Sequence, residues 1–109
     1  DLRSAEGLGR LVAQAHALRR MSVSVAGMLQ AGKEPVIEGS LVKDLGTLWE
    51  QRLPGRVREL AAVLEPGASN RATLDEQLAF ALTVAPKLTI QGGTREILRG
   101  IIARGLGLR

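Results

Sequence analysis

The chain has 109 residues, 45% of them hydrophobic, and carries fifteen Lys and Arg against eleven Asp and Glu, a net charge of +4. That length holds one domain with a real core, and a mean hydropathy of +0.07 belongs to a chain that folds in water. Cysteine is absent, so disulfides and thiolate metal sites are excluded, and the single His16 cannot build a histidine cluster.

Aromatic residues are confined to Trp49 and Phe80. The core must therefore come from Leu, Ile, Val and Ala on helix faces, which predicts an all-α fold: an antiparallel helical bundle of two long helices plus two short ones. The longest uncharged stretch, residues 21–32, is about half of a bilayer span, so no membrane span is expected. The lack of cysteine fits a reducing, cytoplasmic setting. The first residue is Asp1 rather than Met, so residues 1–109 are expected to be one piece of a larger chain.

Leu8, Leu11, Ala15, Leu18, Ser22, Val25 and Leu29 recur at three- and four-residue steps and predict a helix over residues 4–31, stopped by Gly32. His16 falls off that stripe and reads as structural. Pro35 fits the first turn of a second helix, where its missing N–H costs nothing. Val36, Ile37, Leu41, Val42, Leu45, Leu48 and Trp49 should form its buried face, and Leu53, Val57, Leu60, Ala61 and Leu64 continue it. Pro54-Gly55 predicts a kink or a break. Lys43, beside Asp44, falls on the opposite face and reads as a surface lysine.

Residues 65–70, Glu-Pro-Gly-Ala-Ser-Asn, form the clearest loop. Thr73-Leu74-Asp75-Glu76 matches a capping box and starts a short helix through Leu78, Ala79 and Leu82 that Pro86 ends. The Asp75-Glu76 doublet reads as helix-start electrostatics. The last helix, over residues 95–104, should bury Ile97, Leu98, Ile101 and Ile102, with Gly105 as its stop.

Between these two short helices lies the most informative stretch. Gly92 and Gly93 accept backbone angles that other residues resist and leave their amides uncovered, while Thr94 can cap the helix that follows. A helix dipole adds partial positive charge there, so the segment can hold a phosphate or carboxylate. Taken alone, Gly-Gly-Thr is also an ordinary turn and cap.

Twelve of the fifteen cations are arginines spread along the chain. They are interleaved with Glu6, Glu50, Glu59 and Glu96 and lack stacking aromatics, so no nucleic-acid partner is expected. No Cys-His pair, Ser-His-Asp set, P-loop or metal-ligand spacing is visible, and no catalytic or metal residue is assigned.

The order Ile-x-Gly-Gly-Thr-x-Glu-Ile-x-Arg-x-Ile-Ile-Ala, closing on Gly105-Leu106-Gly107-Leu108-Arg109, resembles the C-terminal signature of the acyl-CoA dehydrogenase family. The helical run ahead of it, with Lys43 near the middle of its second helix, is similar to that family's C-terminal helical domain. The resemblance implies FAD as cofactor, an acyl-CoA substrate for the full-length protein, and homo- or hetero-oligomers formed through helical faces. By the same resemblance Thr94 and Glu96 match positions that contact FAD, and Gln91, Gly92 and Gly93 would bring bare backbone close to it.

Two departures stand out. Many family members carry a Gly-Gly-x-Gly run, followed by an Arg-Asp-x-Arg element, in the connection that residues 65–70 form here, and neither is present. Much of the family also places its catalytic base directly before the Gly-Thr pair, where this chain has Gly92. Some members hold the base on an earlier helix, and some hetero-oligomers contain a subunit with none; both cases stay open. The isolated region is expected to be inactive and to retain FAD poorly. A non-enzymatic helical interaction module is the alternative reading.

Overall fold

The computed structural model describes residues 2–64 and 67–108. It is all-α: α1 (Leu2–Gln30), α2 (Val36–Leu64), α3 (Ala68–Val84), a short 3-10 helix (Ala85–Thr89) and α4 (Arg95–Gly105). The molecule measures 51 × 26 × 25 Å, its long axis set by two helices of 29 residues each.

The helix ends follow from local chemistry. At the end of α1 the Lys33 amide reaches Met28 O and the Gly32 amide reaches Leu29 O, both at 3.0 Å, a Schellman closure. Pro35 stands one position earlier than a first-turn proline: its carbonyl accepts from Gly39 N at 2.9 Å, which makes it the N-cap of α2. Pro54 lies inside α2 without breaking it.

The start of α3 differs from the expected capping box. Gly67 is the N-cap, and Arg71 N donates to Gly67 O at 2.8 Å, so the helix begins five residues before Thr73. Thr73 instead turns its hydroxyl back onto Ser69 O at 3.2 Å, as mid-helix threonines do. Of the expected loop, residues 65 and 66 lie outside the described residues and 68–70 are helical. Asp75 pairs with Arg71 at 3.0 Å rather than with free amides.

α2 is the shared centre. α1, α3, the 3-10 helix and α4 all pack against it. Gly7 of α1 meets Leu60, Arg71 of α3 meets Ala61 O, and Arg95 of α4 meets Asp44. α1, α3 and α4 therefore run antiparallel to α2.

Being packed on several sides, α2 does not keep one apolar stripe. Val36, Leu41 and Leu45, expected on its buried face, are exposed, whereas Ser40, Asp44 and Thr47 are buried, one turn apart. The contact face of α1 also differs in part from the expected one. Ser4, Gly7, Leu11, Ala15, Leu18, Met21, Val25 and Met28 turn inward, while Leu8, Ser22 and Leu29 are exposed. The glycine and the methionines fill positions that a count of Leu and Val alone assigns elsewhere. The side chain of Leu64 lies outside what is described.

Among the described residues the buried apolar side chains are few: Ala61, Leu78, Ala85 and Leu98, with Pro35 and Pro54. No described helix is long and apolar enough to cross a membrane.

Candidate functional site

The Gly-Gly-Thr segment sits at one end of α4, on the flank of α2. The 3-10 helix closes with the Ile90 and Gln91 amides both donating to Lys87 O, at 3.2 and 3.3 Å. The chain then reverses through Gly92 and Gly93, whose φ angles of +73° and +104° are the left-handed values that favour glycine. Residues 90–92 form the turn that leads into this bend.

Thr94 then starts α4. Its backbone is extended and its hydroxyl accepts from Ile97 N at 3.4 Å, the expected cap. Glu96 stands in the first turn, exposed. Its own backbone amide, and after it the Thr94 hydroxyl, hold its carboxyl below the ordinary carboxylate value, against a weak opposing effect of desolvation and with help from the charges of Arg95 and Arg99.

All five residues expected to meet a cofactor come together here. Gln91, Gly92 and Glu96 are exposed, and Gly93 and Thr94 are half-buried. The hook is open to solvent rather than sealed in the bundle.

The outer wall of the hook is apolar. Ile97, expected in the core, is 56% exposed, and Leu98 alone at this point turns inward, at 6%. The reason lies in the geometry of α4, which packs on α2 along one narrow face. That face takes Leu98 and part of Ile101 and Ile102, and leaves Ile97 beside Gly93. Exposed Ile90 lies on the other side of the glycines in sequence.

Lys43 is not simply a surface lysine. It is half-buried, and its Cε lies 3.6 Å from where a Cβ on Gly92 would stand. The lysine stem thus packs against the bend and brings positive charge to the same side of the molecule. The pattern of apolar residues gave no sign of this, because it places Lys43 only relative to α2.

Asp44 is the residue the sequence reading missed. Its side chain is 9% exposed, and its two oxygens meet different arginines: Oδ1 accepts from Arg95 Nε at 2.9 Å and Oδ2 from Arg99 Nε at 3.4 Å. The signal was present in two halves. Ser40, Asp44 and Thr47 form a polar stripe within an apolar helix, and Arg95 and Arg99 are like charges at i,i+4 that weaken a helix unless an anion lies between them.

Gly105 is the last residue of α4 rather than its stop. The chain turns at Gly107, with Leu108 N reaching Ala103 O at 2.7 Å and Gly107 N reaching Arg104 O at 3.0 Å.

These features fit a cofactor that is flat, partly apolar and partly anionic. A left-handed glycine bend, a helix start and Lys43 supply the polar side, and Ile97 supplies an apolar wall. The acyl-CoA dehydrogenase C-terminal domain family model matches residues 4–107 of the chain. No curated protein and no solved structure matches it.

Proposed function

The chain belongs to the acyl-CoA dehydrogenase family, whose C-terminal domain it matches over nearly its whole length, and on that premise we propose that it forms part of the FAD site of an acyl-CoA dehydrogenase acting on an acyl-CoA thioester. The observation that carries this reading is the open hook, with left-handed Gly92 and Gly93, the capping hydroxyl of Thr94 and the exposed Ile97 side by side. When bound, FAD supplies the hydride acceptor for α,β-dehydrogenation.

The roles of this chain's own residues follow from their chemistry. The bend at Gly92 and Gly93 would let backbone approach the cofactor closely, because no side chain intervenes. Thr94 fixes the first turn of α4. Gln91 presents an amide side chain at the open edge.

Removal of the α-proton needs a base, and this region does not supply one. Gly92 has no side chain to accept a proton. Glu96 is a carboxylate held below its ordinary value, and a general base works best with a pKa near the working pH. Its place in the first turn suits it to cap and to contact the cofactor. The base therefore comes from residues outside these 109, on this protein or on the partner subunit of a hetero-oligomer.

Oligomer formation through helical faces has its own support. Leu8, Val12, Val23 and Leu29 of α1 are exposed, and a groove of about 580 Å³ runs between α1 and α2 over Leu11, Leu18, Leu45, Leu48 and Trp49. Such surfaces are usual where helices of another subunit or domain pack. The 109-residue region alone binds FAD poorly and turns over no substrate, because the hook forms one wall only.

The absorption spectrum of the full-length protein tests the reading. A yellow protein with resolved flavin bands is expected. A colourless protein that takes up no added FAD overturns it.

A further inference from the structure

We propose that Asp44 is a positioning residue for the hook. From the first third of α2 it sets the rotation and register of α4, and so the placement of the Gly92–Gly93–Thr94 backbone. The inference rests on the reading of the hook as a flavin site.

The buried carboxylate comes first. A side chain only 9% exposed keeps little of its hydration, so its oxygens must find donors. Both do, and the donors are the Nε groups of two arginines one turn apart on α4. A single contact would leave α4 free to pivot. Two contacts from one carboxylate, separated along the helix, fix its rotation about its own axis as well.

The composition of α4 is consistent with this. Arg95 is the first residue of the helix, where a cation opposes the dipole, and Arg95 and Arg99 repel each other at i,i+4. Both costs are offset by one anion placed between them. Leu98 also holds α4 to α2, but apolar burial has no preferred direction, whereas the paired hydrogen bonds do.

The link to the hook is one residue long. Arg95 follows Thr94 directly, so a shift of its guanidinium carries to the cap hydroxyl and to the amides before it. Lys43, the neighbour of Asp44 on α2, packs its stem against Gly92. Adjacent positions of α2 therefore hold both sides of the bend.

The direction of the effect separates this role from simpler ones. Removing a negative charge near a site for an anionic cofactor should tighten binding if charge alone mattered. A residue that merely stabilises the fold should lower the melting temperature and leave the affinity of the folded protein as it was. A positioning residue should weaken binding.

The experiment measures FAD dissociation constants of the full-length protein by flavin fluorescence, for the native chain, Asp44→Asn, Asp44→Glu, Thr94→Val and the double variant Asp44→Asn/Thr94→Val. Asp44→Asn should weaken binding by roughly tenfold or more, the scale on which outer partners of a bound group act. Asp44→Glu keeps the charge and displaces it by one methylene, and should show a smaller loss in the same direction. The double variant should lose less than the product of the single losses, because both changes act through one cap. Amide hydrogen exchange at Ile97 and Leu98 in the flavin-free protein should quicken in both Asp44 variants.

Unchanged or tighter binding in Asp44→Asn, or a double-variant loss equal to the product, overturns the inference while Thr94→Val still weakens FAD. If Asp44→Asn does not fold, Asp44→Glu and the exchange rates decide: native affinity and native protection in Asp44→Glu overturn it. Native affinity in Thr94→Val overturns the flavin reading, and this inference with it.

Discussion

Ile37, in the first turn of α2, packs directly on the α-carbon of Gly105 at the far end of α4, filling the space a side chain there would need. This contact and the Asp44–Arg95 pair fix α4 against α2 at both ends. A methyl at residue 105 would meet the Cγ1 and Cδ1 of Ile37. Gly105→Ala should therefore destabilise the protein, by about 1–3 kcal/mol as overpacked sites do. Ile37→Ala in the same chain should recover part of that loss, since the two share one space. Thermal unfolding followed by circular dichroism measures both, and an unchanged melting temperature in Gly105→Ala would show that the helices separate freely there.

Leu98 and Ile97 are neighbours with opposite surroundings. Leu98→Ala should cost about 2–4 kcal/mol, the range for a buried leucine that leaves a cavity, and Ile97→Ala much less. In the full-length protein Ile97→Ala should lower flavin content instead. Equal loss of stability in the two variants would place Ile97 in the core after all.

How far the sequence led is clear from this pair. Spacing located the helix, its threonine cap and the bend at Gly92 and Gly93, because caps and glycine bends depend on a few adjacent residues. It could not decide between Ile97 and Leu98, since which side of α4 meets α2 depends on a carboxylate 51 residues earlier. The expected stripe of α1 faces inward at Leu11, Ala15, Leu18 and Val25, whereas Gly7, Met21 and Met28 take the places expected for Leu8, Ser22 and Leu29. The early start of α3 was hidden because a Thr-x-x-Glu pattern occurs in mid-helix as readily as at a cap.

Glu96 links the helix start to pH. Its folded carboxyl releases its proton at lower pH than the unfolded one, so its stabilising contribution is complete above the ordinary value of 4.5 and is lost as pH falls through the lower folded value. Glu96→Gln lacks that contribution at every pH. The stability gap between native and Glu96→Gln should thus be open at neutral pH and close well below 4.5. Urea unfolding at the two conditions checks this, and a gap of the same size at both would contradict it.

Trp49 lies between α1 and α2 with its indole Nε1 buried and without a hydrogen-bond partner among the described residues. A buried donor left unmet costs about 1–3 kcal/mol, so Trp49→Phe, which deletes the N–H and keeps most of the ring volume, should be nearly neutral. Trp49→Ala should be far more damaging, at about 3–5 kcal/mol where the ring is well packed. Chemical denaturation of both variants makes the comparison. Equal damage from Trp49→Phe would mean that the indole donates a hydrogen bond in the complete protein.

The most direct test of the account is FAD titration of the full-length protein carrying Gly93→Val. Valine is strained at a φ of +104° and would set its branches against Ile97 and Leu98, covering the backbone the cofactor is held to approach. Weakening of roughly tenfold or more, with helix content preserved, is the expected result, the scale on which a displaced contact acts. Native FAD affinity in that variant would show that the bend at residues 92–94 only reverses the chain, and the assignment of the flavin site would fall.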